Sequence, residues 1–138
     1  MTQREDVIKQ YDHVAIAVKE LDKALSLFLD KLGAVLATPK HYAQEMNMYI
    51  AEVVLGLIKI ELIQDADPQG PVARYIETKG EGLHHISILV DDINQVIYQL
   101  ETKGIKLVGK KTEGPGDKWV YISPNESFGA LIQYWQYG

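Results

Sequence analysis

The chain has 138 residues, 46% of them hydrophobic, with 14 basic and 19 acidic side chains and a formal net charge of −5; it is long enough for one compact domain and too apolar for a disordered chain. No basic stripe outweighs the acids, which argues against nucleic acid as a partner. Cysteine is absent, so disulfides and thiolate metal sites are excluded, and any bound metal must use nitrogen and oxygen donors.

Residues 1–10 read as a polar lead-in. Its opening, Met1-Thr2-Gln3-Arg4-Glu5-Asp6, holds no apolar signal core, and no later apolar run reaches membrane-spanning length. A cytoplasmic setting without a membrane partner is therefore expected. Strand one is expected over residues 11–18. Helix one follows over 21–32, with Leu21, Ala24, Leu25, Phe28 and Leu32 on one apolar stripe and Gly33 as its stop. Strand two covers 34–38 and ends at Pro39. A turn at 44–47 leads into a hairpin of 48–55 and 57–64 around Gly56. The loop Asp65-Ala66-Asp67-Pro68-Gln69-Gly70-Pro71 marks the boundary between two modules, and a short helix over 72–78 bridges them.

The second module repeats the order. Strand five covers 83–90. Helix two covers 93–103, with Val96, Ile97 and Leu100 inward and Gly104 as its stop. Strand six spans 105–108, a Gly/Pro loop 112–117, and strands seven (119–123) and eight (129–136) flank a turn at 124–127. Each half reads βαβββ. The fold class is α+β: one domain over 1–138, with module one about 11–65 and module two about 83–136.

A shift of 72 residues lays one module on the other. His13 falls on His85, Ile16 on Ile88, Val18 on Val90, Lys31 on Lys103, Tyr49 on Tyr121, Ile50 on Ile122 and Ile60 on Ile132, and Glu61 falls on Gln133. Such self-similarity marks a doubled supersecondary unit. Strand alternation agrees. His85 shares a face with Ser87 and Leu89, against Ile86, Ile88 and Val90. Glu61 shares one with Lys59 and Ile63, against Ile58, Ile60 and Leu62. Gln133 shares one with Leu131, against Ala130, Ile132 and Tyr134. The apolar sets are suited to pack under helices, which leaves the polar residues on the other side of the sheet.

A buried carboxylate needs a cation or several donors. Two neutral imidazoles cannot neutralise Glu61, whereas one divalent cation held by His13, Glu61 and His85 can, with Gln133 as a fourth donor at the equivalent point of the second module. That donor set suits Zn, Co, Ni, Mn or Fe(II), with positions left for water or substrate. The competing use is structural: two hydrogen-bonded core histidines, with Glu61 and Gln133 lining a wet groove.

The runs Tyr11-Asp12-His13-Val14-Ala15-Ile16-Ala17-Val18, Ile60-Glu61-Leu62-Ile63 and Gly80-Glu81-Gly82-Leu83-His84-His85-Ile86 resemble the vicinal oxygen chelate superfamily, also called the glyoxalase/bleomycin-resistance/dioxygenase fold. Within it they are most similar to methylmalonyl-CoA epimerases. The resemblance covers nearly the whole chain. It implies a U-shaped, eight-stranded mixed sheet around a divalent metal ligated by His13, Glu61, His85 and Gln133. It also picks the second of the tandem histidines, leaving His84 as a structural group.

The chain departs from the pattern at position 133, where these epimerases carry glutamate. A neutral amide there weakens metal binding, leaves the site more positive, and cannot serve as a base. The resemblance places a further acid on strand three, nearest Ile50. Glu52, two residues on and on the same face, is the candidate catalytic base. The implied function is metal-dependent epimerisation of a small acyl-CoA by enolate stabilisation, in a homodimer. The alternatives are a glyoxalase I-like lyase, an Fe(II) dioxygenase, or a non-catalytic drug-sequestering member of the fold. Lys106, Lys110, Lys111 and Lys118 lie where CoA phosphates could reach them, but they read as surface lysines. Trp119, Tyr121, Tyr134, Trp135 and Tyr137 read as core and interface packing.

Overall fold

A computed structural model describes residues 8–138. The expected lead-in lies outside the described residues up to position 7, and from Ile8 the chain is already strand. The elements are β1 (Ile8–Ala17), α1 (Leu21–Ser26), β2 (Val35–Ala43), β3 (Met48–Leu55), β4 (Ile58–Asp65), α2 (Pro71–Lys79), β5 (Gly82–Val90), α3 (Ile93–Thr102), β6 (Leu107–Lys111), β7 (Lys118–Ile122) and β8 (Ile132–Gln136). The eight strands form one sheet in the order β2-β3-β4-β1-β5-β8-β7-β6. It is mixed, with β1 parallel to β4 and β5 parallel to β8, while β2–β3, β3–β4, β6–β7 and β7–β8 are antiparallel. The class is α+β, with the βαβββ order running twice and α2 between. Among the described residues no helix is long and apolar enough to cross a membrane.

The chain divides into two compact units. One is His13–His84. There, Leu21 of α1 packs with Ala51, Val53, Ile60 and Leu62 on one side of the strands, joined by Ala24, Leu25, Phe28 and Leu29. On the other side Val72 and Ile76 of α2 pack with Ala15, Ala17, Ile50 and Ile63. Leu62 and Leu21 are wholly buried.

The second unit joins the described residues before His13 to His85–Gly138. Its core sets Ile93, Val96, Ile97 and Leu100 of α3 against Ile88, Val90, Val120 and Tyr134. Asp92 caps α3, its carboxylate accepting from the Asn94 and Gln95 amides at 3.1 and 3.2 Å, two of the donors that a helix start leaves without partners. Gly104, the stop expected from the sequence, has φ +77°.

The structural register reproduces the 72-residue shift. Val14 pairs with Ile60 and Ala15 with Glu61; in the other unit Ile86 pairs with Ile132 and Ser87 with Gln133. Helix anchoring follows the same shift. The Leu21 amide donates to Gln64 Oε1 at 2.7 Å, and the Ile93 amide to Gln136 Oε1 at 2.7 Å. Each helix start is thus tied to the last strand of its own module. Gln64 and Gln136 were readable from the repeat as a matched pair, but their role was not.

Several boundaries differ from expectation. Helix one does not stay α-helical: Leu27–Lys31 is a π-helical turn, closed by the Leu32 amide on the Leu27 carbonyl at 3.1 Å. The wider turn takes up one extra residue. Leu29 therefore joins the core while Leu32 is 46% exposed, and the stop glycines Gly33 and Gly104 lie 71 residues apart rather than 72.

Strand two runs through Pro39, because β2 is an edge strand whose register shifts between Thr38 and His41; at such a bulge proline costs no ladder bond. Strand six starts at Leu107 rather than 105, and β8 at Ile132 rather than 129. The turn region 124–129 is longer than expected, with Phe128 at φ +58°. Alternation misjudges two positions as well, Ile58 at the start of β4 and Ile86 in the middle of β5, which are 51% and 39% exposed. Each lies beyond the cover of its helix.

Leu62→Ala should cost about 2–5 kcal/mol in urea denaturation, from lost burial and the cavity left behind. Leu57→Ala should stay within about 0.5 kcal/mol, since Leu57 is fully exposed. A small effect at Leu62 would contradict the packing of β4 under α1.

Candidate metal centre

On the α2 side of the His13–His84 unit, the β1–β4–β3–β2 register lines up Ala15, Glu61, Glu52 and Thr38 in one row. The next row, Ala17, Ile63, Ile50 and His41, is apolar where α2 covers it. The same side of the strands is thus dry under α2 and polar beyond it. Ile50, where the family resemblance places an acid, is buried beneath α2, and Glu52 stands two residues along, directly opposite Glu61.

Two carboxylates opposite each other on neighbouring strands repel. Each has a partner nearby. Thr38 Oγ1 donates to Glu52 Oε1 at 2.9 Å, and Lys59 Nζ lies 3.9 Å from Glu52 Oε2. His13 Nε2 lies 3.6 Å from Glu61 Oε1, with side chains 6% and 18% exposed.

His85 is buried on β5, at the point where the chain passes from one unit to the next. One ligand atom from each of His13, Glu61 and His85 lies within 4.8 Å of the other two. Two borderline nitrogens and one carboxylate oxygen, largely out of solvent and with a second carboxylate adjacent, fit a divalent cation. The neighbouring His84 belongs elsewhere. Its ring meets Tyr75 edge-on with centroids 4.7 Å apart, and burial lowers its pKa from the ordinary histidine value, which favours the neutral, structural imidazole expected of it.

Gln133 is 2% exposed on β8, in register with Ser87 and Tyr121. Its Nε2 donates to Tyr121 Oη at 2.9 Å. Its Oε1, like Ser87 Oγ, is buried with no hydrogen-bond partner among the described residues. A buried amide oxygen without a donor is costly unless something outside the chain supplies one. The Tyr121 ring also meets His85 edge-on, with centroids 5.8 Å apart and an interplanar angle of 85°. Sequence reasoning read Tyr121 as packing. The turn between β7 and β8 sets its place, and no motif signals that turn's length.

In the adjoining row Trp119 and Trp135 stack at 5.0 Å, and Trp135 Nε1 donates to Asp117 at 3.0 Å. Lys111 donates to the Pro115 carbonyl and lies 5.5 Å from the Trp119 ring centre, so it is held locally. Tyr134 is in the core under α3, where burial raises its pKa.

The chain belongs to the glyoxalase/bleomycin resistance protein/dioxygenase superfamily, whose sequence pattern matches residues 12–122. Within it, the chain is 30% identical over 125 residues to the mitochondrial methylmalonyl-CoA epimerase of Bos taurus, covering 88% of this chain and 71% of that one. It is 28% identical over 131 residues to the ethylmalonyl-CoA/methylmalonyl-CoA epimerase of Cereibacter sphaeroides, covering 92% and 97%. The crystal structure of methylmalonyl-CoA epimerase from Mycobacterium tuberculosis has the same fold, with a TM-score of 0.83 at 22% identity over 99% of this chain and 93% of that one.

In the metal-free protein, Gln133→Met should leave stability within about 1 kcal/mol of the parent. The substitution removes a buried oxygen that has no partner and keeps the volume. Urea denaturation in the presence of a chelator measures this; a loss as large as that expected at Leu62 would mean the amide has a structural role.

Proposed function

We propose that this protein is a metal-dependent epimerase of a small acyl-CoA of the methylmalonyl-CoA type, with His13, Glu61, His85 and Gln133 as metal ligands and Glu52 as a catalytic base. The observation that carries the reading is the buried His13–Glu61–His85 group with Glu52 directly opposite Glu61. The 30% identity to a curated methylmalonyl-CoA epimerase supports the substrate class. Drug-sequestering members of the fold have no need of such a donor set.

Epimerisation requires loss of the proton on the carbon beside the thioester carbonyl and its return to the opposite face. His13, Glu61, His85 and Gln133 would hold a divalent cation, which would supply positive charge beside the enolate oxygen. Glu52 takes or returns the proton on one face, and solvent water supplies or takes up the proton on the other. Thr38 and Lys59 hold its carboxylate in place, through a hydrogen bond to Oε1 and a cation near Oε2. Gln133 carries no charge and takes up no proton, so it contributes an oxygen and no basicity. The reading keeps the homodimer and cytoplasmic setting expected from the sequence. Val35, Leu36, Leu57 and Ile58 are exposed and offer apolar surface for self-association.

One observation favours a second reading. Two imidazoles and one carboxylate are also the donors of non-haem Fe(II) oxygenases, and iron as the metal of the isolated protein would favour it.

Two measurements test the proposal. Elemental analysis should find metal in the parent and none in Glu61→Ala or His85→Ala; full occupancy in either variant removes that residue from the ligand set. The metal-loaded parent should incorporate solvent deuterium into methylmalonyl-CoA. Glu52→Gln should slow that exchange at least about a hundredfold with metal content unchanged. A parent that exchanges no faster than buffer refutes the epimerase, and an unaffected Glu52→Gln refutes the assigned base.

A further inference from the structure

We propose that Tyr121 is a positioning residue that turns the Gln133 side chain so that its oxygen, and not its nitrogen, is presented to the metal. The proposal rests on the reading of Gln133 as a ligand. A side-chain amide has two ends of almost equal size, and only the carbonyl end can ligate a cation. A carboxylate meets no such choice, because both of its ends are oxygens. An amide ligand therefore needs an acceptor that claims its NH2 group.

Tyr121 is placed to do this. It is the direct cross-strand neighbour of Gln133, and its hydroxyl oxygen accepts from Gln133 Nε2 at 2.9 Å. The other end of the amide, Oε1, is buried and has no hydrogen-bond partner among the described residues. With its nitrogen on the Tyr121 hydroxyl, the amide turns its oxygen end away from Tyr121. The Tyr121 ring also meets His85 edge-on, so one side chain contacts two of the assigned ligands. Groups that orient metal ligands in this way affect affinity about 10–100-fold when removed.

The equivalent place in the other unit is filled differently. There the residue opposite the ligand Glu61 is Glu52, a group that could not accept a hydrogen bond from a carboxylate. Gln133 has a hydroxyl opposite it instead.

The test is a double-mutant cycle in metal affinity. Zn2+ binding is measured by competition with a chromogenic chelator for the parent, Tyr121→Phe, Gln133→Glu and the double variant. Tyr121→Phe should weaken Zn2+ binding about tenfold with glutamine at 133, and less than about twofold with glutamate there, where orientation no longer matters. The Co2+ visible spectrum should change on Tyr121→Phe only with glutamine at 133. Equal losses in both backgrounds would assign Tyr121 to general packing and overturn the proposal, as would no loss in either. Gln133→Met supplies the separate control: unchanged Zn2+ affinity in that variant removes Gln133 from the ligands, and the proposal falls while the three-residue group stands.

Discussion

The structure depends on the register of two parallel strand pairs, β1 with β4 and β5 with β8. Each pairing sets a proposed ligand beside a small residue, Glu61 beside Ala15 and Gln133 beside Ser87. A slip of one residue would exchange the two faces of the strand. Glu61 would then enter the core under α1, and Leu62 would leave it. Core formation and ligand placement are one constraint here, since the burial of Ile60 and Leu62 is what fixes Glu61 on the far side. The bond from the Leu21 amide to Gln64 locks the same register at the helix, three residues along the strand from the ligand.

Most of this was open to inference from residues. The 72-residue shift matches the observed register of Glu61 and Gln133 because it acts on parallel strands, whose spacing the βαβββ order preserves. Alternation placed the apolar face correctly where a helix covers it, and failed at Ile58 and Ile86, which are exposed and lie in none of the helix-covered cores. The shift also matched Tyr49 with Tyr121, and here the structure disagrees. Tyr49 pairs with Gln64, and the residue facing Glu61 is Glu52. Glu52 precedes its partner by 9 residues, whereas Tyr121 precedes Gln133 by 12. Turn length sets that register, and composition does not report it. The π-helical turn of Leu27–Lys31 escaped for a related reason, since one added residue alters a stripe without leaving a motif.

The two halves are alike in backbone and unlike in charge. The His13–His84 unit presents two carboxylates in adjacent strands with a lysine and a histidine beside them. The other presents an amide and a phenol. On the proposed function, a divalent cation held by one carboxylate and neutral groups would keep net positive charge for a developing anion, and the second carboxylate would be left to exchange a proton.

The unequal β3–β4 and β7–β8 turns have a wider implication. Which side chain faces a ligand across the strand depends on where the antiparallel partner starts, and that is set at a solvent-exposed tip, far from the parallel pairs that carry the ligands. A tip lengthened so that β3 slips by two residues would bring a different side chain opposite Glu61 while Ala51 and Val53 stay on the core side. In a doubled scaffold, insertions at the rim can therefore change what faces Glu61 or Gln133 while the parallel strand pairs stay the same.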